Sequence, residues 1–204
     1  MSSHAMPNKD APKGYVFVSP GSDPGLGKPL ADPIFGKRTT MGACRPDLRR
    51  LVRPGDHIFV VSGSSKGVSQ YIIGGFAVDE KIDALVAHAR FPEYRLKMED
   101  GVKEGNIIVD DEGRHHPLDH HSNFERRIRN YIVGRDQVFL QKPAEVDLGR
   151  DRTLEILREA FDKPWAHRVR EIIGRNARLN EKQIEKIRSA LREIKAEAAR
   201  ARPR

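Results

Sequence analysis

Cysteine is almost absent from this chain of 204 residues, and its one example is Cys44. A single cysteine excludes a disulfide and a cysteine-based zinc site within one chain. Long apolar runs are also absent, and none approaches the roughly 20 residues of a membrane-spanning helix. Residues 1–14, MSSHAMPNKDAPKG, lack the apolar centre of a secretory signal. We therefore expect a globular, soluble protein in a reducing, cytoplasmic setting, with no membrane partner.

Negative charge is the scarcer sign in this sequence. There are 37 Lys and Arg against 29 Asp and Glu, which gives a formal net charge of +8. Such a bias favours polyanionic partners, of which nucleic acid is the commonest. Many of the basic residues fall near the C-terminus, so the net charge alone does not locate a binding site.

Short hydrophobic runs separated by Gly and Pro predict a small strand-rich domain. Residues 14–20, GYVFVSP, and 57–61, HIFVV, have the composition of strands. Residues 67–82 form a further strand, and the pair Gly74-Gly75 inside it indicates a bulge or a close approach of two backbones. The hairpin-like connection before it places this strand beside 57–61 in one sheet.

The C-terminal part of the chain changes to helical periodicity. In residues 180–202, apolar side chains recur at spacings of three and four, and Asn180 is the predicted N-cap. An apolar face of this kind packs on its own domain or pairs with a second copy, and both alternatives stay open. We predict a disordered tail at residues 1–13, a strand-rich domain at 14–149 and a helical C-terminal extension at 150–204.

The long polar segment at residues 19–43 separates the first two predicted strands. Loops of this length inside compact domains are more often functional or disordered than neutral. Its glycines, Gly25 among them, let the backbone approach a ligand, and Asp23 can accept from an exocyclic amine or a sugar hydroxyl. The alternative is a mobile surface loop whose glycines only make turns. No GxxxxGK[ST] motif occurs in the chain, and we predict no cofactor.

Three stretches resemble the nucleotide-modification-associated domain family: YVFVSPGSDPG, DPIFGKRTTMGACRPDLRRLVRPGDHIFVVSG and YIIGGFAVDEKI. The resemblance covers residues 14–97. Asp23 and Gly25 stand at its Asp-x-Gly positions, and Arg49 begins its basic pair. The first cysteine of the family pattern is replaced here, so a mechanism with two thiols is not expected. The resemblance implies a link to systems that modify or recognise altered DNA bases.

A second set of segments is similar to the PUA-like superfamily, which includes the EVE and ASCH domains. These are RPGDHIFVVSG with GVSQYIIGGFAV, and NYIVGRDQVFLQKPAEV. The similarity implies an α+β fold: a small, strongly bent mixed β-barrel with flanking helices. Such barrels hold a single base, often a modified one, at the ends of their strands.

The predicted ligand-binding residues combine phosphate donors, base-edge acceptors and stacking aromatics. Arg45 and Arg49 share a face if both lie in one helix, although a solvated basic helix is the alternative. Ser62 and Ser64 fall at a strand end, where turn serines are equally common. The full predicted set is Ser19, Asp23, Gly25, Lys37, Arg38, Thr39, Thr40, Arg45, Arg49, Ser62, Ser64, Tyr71 and Tyr94.

The segment RHHPLDHH, residues 114–121, concentrates half of the eight histidines of the chain. By side-chain type His116, Asp119 and His120 can ligate a divalent metal. Their spacing follows no metal-binding motif and Pro117 predicts an irregular exposed loop. We expect no dedicated metal site here.

Three functional hypotheses follow from these residues. The first is a nucleic-acid-linked module that recognises or processes a modified base or nucleotide in a pocket lined by residues 19–43. The second is an enzyme of nucleotide or DNA-base modification, with Asp23 as general base. The third is a scaffold that oligomerises through its C-terminal helices. An enzyme requires a second carboxylate or a histidine within reach of Asp23, whereas a reader requires an aromatic cage.

Overall fold

The computed structural model describes residues 11–201. Its strands are β1 (Gly14–Val18), β2 (Thr40–Met41), β3 (His57–Val61), β4 (Ile72–Ile82), β5 (Lys97–Glu99), β6 (Val102–Glu104), β7 (Tyr131–Phe139) and β8 (Asn176–Leu179). Its helices are α1 (Pro46–Leu51), α2 (Ala84–Arg90), α3 (Phe124–Arg127), α4 (Pro143–Phe161), α5 (Val169–Ile173) and α6 (Glu181–Arg200). The predicted α+β class is confirmed. None of the helices in this part of the chain has the length and apolar character that a bilayer span requires.

Six strands form one mixed sheet in the order β2-β7-β4-β3-β1-β8. β1 and β3 run parallel, and the other neighbouring pairs are antiparallel. The two short end strands, β2 and β8, are not paired with each other, so the sheet is open. The strongly bent barrel that we expected is therefore not formed as a closed structure. The physical reason is that β8 extends the sheet past β1, while β2 is too short to close it from the other side.

The central strand β4 is buried over its first seven residues, which is the pattern of a strand covered on both faces. A Cβ atom at Gly75 would lie 2.2 Å from Phe59 Cδ1, and one at Gly74 would lie 2.5 Å from Phe139 Cβ. The register with β7 shifts between Gly75 and Ala77. Both the close backbone approach and the bulge predicted for this glycine pair are confirmed.

The C-terminal helices share their core with the sheet. The predicted boundary between residues 149 and 150 falls inside α4, and residues 176–179, which we expected to end or follow a helix, form β8 beside β1. α4 and α6 pack against each other, and they contact β4, β7, β1 and β8 between them. Residues 150–201 are therefore an integral part of the sheet-containing unit.

The amphipathic pattern predicted for α6 is confirmed. Its Asn180 cap accepts a hydrogen bond from the backbone N–H of Gln183 at 2.9 Å. Its apolar residues are at most 4% exposed and belong to the main core: Ile184, Ile187, Leu191 and Ile194. The face that was open to pairing with a second copy is thus covered by the same chain.

The start of the chain is described only from residue 11 onward, so most of the predicted tail, residues 1–13, lies outside the described residues. Lys13 is already held by the fold. Its backbone N–H donates to the Asp56 carboxylate at 2.8 Å, and its carbonyl accepts from the His57 N–H at 2.8 Å.

A buried carboxylate fixes the later part of the 19–43 loop. Asp32 is 2% exposed, and N–H donors occupy both of its oxygens, which suits a carboxylate rather than the protonated acid. Burial raises the pKa of Asp32, while the nearby Arg49 guanidinium and the donors oppose that rise. The donors, at 2.5–3.0 Å, are the backbone N–H groups of Gly42, Ala43 and Cys44 and the side-chain amide of Asn106.

The guanidinium of Arg49 lies behind this carboxylate and is fully buried. It donates only to backbone carbonyls, so it connects α1 to the segment that precedes β7. A buried cation whose donors all find acceptors avoids most of the several kcal/mol that an unsatisfied ion would cost. The acceptors, at 2.9–3.1 Å, are the carbonyl oxygens of Cys44, Arg127, Arg129 and Asn130.

The first prediction concerns the substitution Asp32→Asn. An amide at this position presents an NH2 group to backbone N–H donors and leaves the Arg49 charge without its nearby anion. We expect the free energy of unfolding to fall by about 3 kcal/mol, measured by urea titration with circular dichroism. Asp111→Asn removes an exposed carboxylate as the control and should change that free energy by less than about 0.5 kcal/mol. If both substitutions lowered the free energy of unfolding equally, the buried hydrogen bonds of Asp32 would contribute no more than an exposed carboxylate.

The second prediction concerns pH and His57. Both ring nitrogens are buried and have no hydrogen-bond partner among the described residues. Burial lowers the pKa of His57, and Arg188 and Arg135 lower it further against the opposing Asp56 and Asp136. The unfolded chain therefore takes up a proton first as the pH falls below about 6.5. The stability that neutral His57 provides is present above that pH and is lost during acidification.

We expect His57→Phe, which preserves ring packing on Phe59, to reduce the loss of unfolding free energy between pH 7.5 and 5.5. One titrating group can change the free energy of unfolding by at most about 1.4 kcal/mol per pH unit. His120→Phe removes an exposed imidazole as the control, and its effect should be smaller than that of His57→Phe. An identical pH dependence in wild type and His57→Phe would contradict this account.

Candidate functional site

A cleft of about 1200 Å³ opens beyond the carboxyl ends of β1 and β3. Val18 and Pro20, which end and follow β1, form part of its wall together with Ser64, which follows β3. α4, α5 and the turn before β8 supply the opposite side. Ligands of α/β proteins bind preferentially beyond the carboxyl ends of parallel strands, so the position suits a binding site.

The charged side chains of the cleft are mostly basic. The described residues that line it include five arginines and one histidine but only two aspartates, so arginine exceeds acid by three charges (five minus two). A cleft lined by one sign of charge concentrates ligands of the opposite sign. These residues are Arg45, Arg150, Arg168, Arg170, Arg175 and His167, with Asp47 and Asp151.

Arg45 is held at one rim of the cleft by three contacts. Its guanidinium makes a two-point ion pair with Asp47, at 2.8 and 3.1 Å, and donates to Asn176 Oδ1 at 3.1 Å. It also lies over the ring of Phe17, 5.1 Å from the centroid. The Asn176 contact joins the start of α1 to the start of β8, so this rim has a defined position.

Arg150 of α4 holds the first part of the 19–43 loop. Its guanidinium makes a two-point ion pair with Asp23, at 2.6 and 3.1 Å, and donates to the Ser69 carbonyl at 2.6 Å. It stacks over the ring of Tyr71 at 4.8 Å. Only 2% of the Asp23 side chain and 13% of the Arg150 side chain are exposed. This pair fixes the loop to the helix and neutralises the carboxylate.

Gly25 also contributes to the attachment of this loop. Its backbone N–H donates to the Tyr71 hydroxyl at 3.2 Å. A Cβ atom at Gly25 would lie 2.6 Å from Val146 Cγ1 and 2.7 Å from Arg150 Nη2. We predicted that this glycine brings the backbone close to a ligand; in the structure its close approach is to side chains of α4. Burial raises the pKa of Tyr71, so its hydroxyl remains protonated at neutral pH.

Three further cleft arginines are exposed: Arg168, Arg170 and Arg175. The guanidinium groups of Arg170 and Arg175 make no hydrogen bond or ion pair with any residue in the described part of the chain. Arg168 is near Glu171, whose carboxylate is occupied by the backbone N–H groups of His167 and Arg168 at 2.7 and 3.2 Å. These arginines can meet an anion without first breaking a side-chain ion pair.

The structure gathers part of the predicted set around this cleft. Arg45 and Ser64 line it directly, and Ser19 lies between the lining residues Val18 and Pro20. Ser62 is fully buried and accepts from the backbone N–H of Tyr71 at 3.0 Å, so it supports the wall from behind.

Tyr94 and four other loop residues that we predicted do not line the cleft; the four are Lys37, Arg38, Thr39 and Thr40. Arg38 forms an exposed ion pair with Asp79 of β4 at 3.3 Å, and its carbonyl accepts from the Tyr94 hydroxyl at 2.6 Å. The Thr39 hydroxyl bonds to the side chain of Gln137 in β7. This part of the loop is fixed to the sheet at the β2–β7 side.

Neither Arg49 nor Cys44 is available to a ligand of the cleft. The Arg49 guanidinium donates its hydrogen bonds to backbone carbonyls and does not line the cleft. Burial, and secondarily the Asp32 charge, raise the pKa of the Cys44 thiol to about 12. A thiol with such a pKa is a poor nucleophile at neutral pH.

The histidine-rich loop is arranged around the carboxylate of Asp119. Asp119 bonds to His115 Nε2 at 2.7 Å and to His121 Nδ1 at 2.6 Å, rather than to His116 or His120. Burial acts to raise the pKa of Asp119, but the two imidazoles outweigh it and leave that pKa lowered. The described residues contain no group of three side chains arranged to hold a metal ion.

Sequence reasoning missed the contribution of residues 165–176 to the cleft. The segment PWAHRVR combines an aromatic residue with three basic ones, which is a composition typical of nucleic-acid contacts. The sequence predicts a helix over residues 167–177, whereas the structure has one over Val169–Ile173, with Val169, Ile172 and Ile173 buried. The exposed residues of this stretch, His167, Arg168, Arg170 and Arg175, line the cleft.

The chain was compared with known proteins at three levels. It matches no protein-family model, no curated protein and no solved structure. The geometry and charge of the cleft therefore carry the functional argument.

Proposed function

We propose that this protein is a nucleic-acid-linked module that recognises or processes a modified base or nucleotide, and that the basic cleft holds the ligand's phosphates. The observation that supports this most directly is the excess of arginine around a cleft of about 1200 Å³ at the carboxyl ends of β1 and β3. Arginine binds phosphate oxygens through two parallel N–H donors, and it does not lose its charge at physiological pH.

The cleft also offers groups suited to the remainder of a nucleotide. Asp47 and Asp151 supply acceptors for exocyclic amines or sugar hydroxyls, and Ser64 supplies both a donor and an acceptor. Val68 and Leu154 add apolar surface against which a base can lie. The proposed likeness to PUA-like and EVE domains agrees with a base near the end of β3, although the sheet here is open.

The geometry favours binding over catalysis by Asp23. The Asp23 carboxylate is nearly inaccessible and paired with Arg150, and no histidine or second carboxylate among the described residues hydrogen-bonds to it. Asp56 and His57 lie at the opposite end of β3 from the Asp23 loop. A general base needs an accessible lone pair, so the enzyme hypothesis based on Asp23 has no support from this arrangement.

The scaffold hypothesis is also less favoured than binding. It depended on a free apolar face of α6, and that face lies in the main core of the same chain. Apart from Ala196 and Ala199, the exposed residues of α6 are polar or charged, which provides little surface for a stable helix pair.

The third prediction tests the cleft through its exposed arginines. We expect the triple variant Arg168→Ala, Arg170→Ala, Arg175→Ala to bind a fluorescein-labelled single-stranded oligonucleotide at least tenfold more weakly than wild type, measured by fluorescence anisotropy. Because each phosphate contact on a single strand contributes about 0.7 to the slope of log K against log salt, that slope should decrease by about 2.

The matched control removes three exposed arginines that do not line the cleft: Arg126, Arg129 and Arg192. This control has the same net charge as the cleft variant. An equal loss of affinity in both would mean that attraction is diffuse over the surface, and the cleft proposal would fail.

The fourth prediction separates an anchoring role of Asp23 from a chemical one. We expect Asp23→Asn and Arg150→Met each to lower the unfolding free energy by about 2–3 kcal/mol, since either leaves a desolvated polar partner behind. The double variant should lose less than the sum, with a coupling energy of about 1–3 kcal/mol.

The exposed pair Glu80 and Arg90 provides the comparison for this double-mutant cycle, which consists of the two single variants and the double variant. It has the same two-point geometry, at 2.7 and 2.8 Å, but its side chains are 37% and 40% exposed. Its coupling energy should stay below about 1 kcal/mol. Strict additivity at Asp23 and Arg150 would refute the anchoring role.

A further inference from the structure

Trp165 is the single tryptophan of the chain, and 61% of it is exposed. Tryptophan is usually buried to a large extent in folded proteins, because its ring carries a large apolar area. No ring contact or cation–π contact in the described residues involves this indole. The indole therefore takes no part in the ring packing of the described residues, and its face is open to a ligand.

The turn that carries Trp165 is firmly held on both sides. The Ala166 N–H donates to the Lys163 carbonyl at 3.1 Å, and the Ala166 carbonyl accepts from Arg158 Nε at 2.6 Å. Lys163 Nζ donates in turn to the Ile172 carbonyl at 2.8 Å. Ala166 itself is fully buried in the main core. The exposure of Trp165 is thus a property of a fixed turn.

Trp165 adjoins the basic cleft along the chain. Only Ala166 separates it from His167, and both His167 and Arg168 line the cleft. Buried and exposed side chains are interspersed in this segment: Ala166 and Val169 belong to the core, and Trp165, His167 and Arg168 are exposed. The same short segment therefore presents an aromatic face and phosphate-binding groups to solvent.

We infer that Trp165 is a stacking platform for an unpaired base, and that the ligand of the cleft is single-stranded nucleic acid. This inference rests on the proposed function and specifies its substrate class. In a duplex the faces of the bases are covered by their neighbours, so an indole can stack only on a base that is free of the duplex. Arginines that track the phosphates beside an aromatic platform are the usual means of binding single strands.

The test uses the full chain and two readouts. Because the chain has one tryptophan, fluorescence excited beyond the absorption of its four tyrosines reports on residue 165 alone. Single-stranded DNA and RNA of about 12 nucleotides, and a duplex of the same sequence, are titrated against the protein. Anisotropy of the labelled oligonucleotide measures affinity. We expect binding of a single strand to quench the tryptophan emission, and binding of the duplex to be weaker and to leave the emission unchanged.

Two variants separate stacking from a general apolar contact. Trp165→Phe keeps an aromatic face, and we expect its affinity for the single strand to remain within a few-fold of wild type. Trp165→Leu removes the face, and we expect an affinity roughly 5- to 150-fold lower. Circular dichroism checks that both variants are folded, which the exposure of the position favours.

The possible results separate the stacking role of Trp165 from the proposed function of the basic cleft. Binding that depends on the cleft arginines, without quenching and with full affinity in Trp165→Leu, overturns the stacking role and leaves the proposed function intact. Equal affinity and equal quenching with the duplex overturn the single-strand assignment. Absence of binding to every oligonucleotide overturns both. A change of emission with vesicles of anionic lipid but not with oligonucleotides assigns the indole to a membrane surface and also overturns the inference.

Discussion

The arrangement of this protein depends on two buried charges that never face water, the Asp32 carboxylate and the Arg49 guanidinium. Moving such ions into a protein interior costs several kcal/mol each unless every polar atom finds a partner. Here the carboxylate accepts hydrogen bonds from backbone N–H groups, and the guanidinium donates hydrogen bonds to backbone carbonyls. Together with Phe35 and Met41, which pack on the main core, these contacts give the polar 19–43 segment a defined path across the sheet. The ion pair between Asp23 and Arg150 fixes the first part of the 19–43 loop in the same way.

The strands were predictable because burial selects the residues that make them. Hydrophobic runs such as HIFVV have few other stable environments in a compact protein, and the Gly74-Gly75 pair indicated the tight contact with neighbouring strands that the structure contains. The closed barrel was not predictable in this way. Closure depends on which strands form the edges, and the short polar strand β8 has no hydrophobic pattern that separates it from a helix or a turn.

The roles of individual polar residues were harder to predict, because ligands and backbones use the same donors and acceptors. Arg45 and Arg49 illustrate the difficulty. A spacing of four places both on one helical face, but the helix begins at Pro46, and Arg45 precedes it with a left-handed backbone (φ 51°). One arginine therefore stays at the rim of the cleft while the other enters the core. Only the start of the helix, which sequence patterns locate poorly, separates these two outcomes.

The cleft itself could not be recognised from a sequence divided near residue 150. Its walls combine residues from Val18 to Asn176, and the unpaired arginines come from the part that resembled a helical appendage. The structure sorts the basic residues by their partners. Arg45 and Arg150 hold the rim through ion pairs, whereas Arg170 and Arg175 carry charges that no described residue neutralises. Under the proposed function, an anion held by Arg170 and Arg175 need not displace a structural carboxylate, so its binding leaves the ion pairs that hold the rim intact.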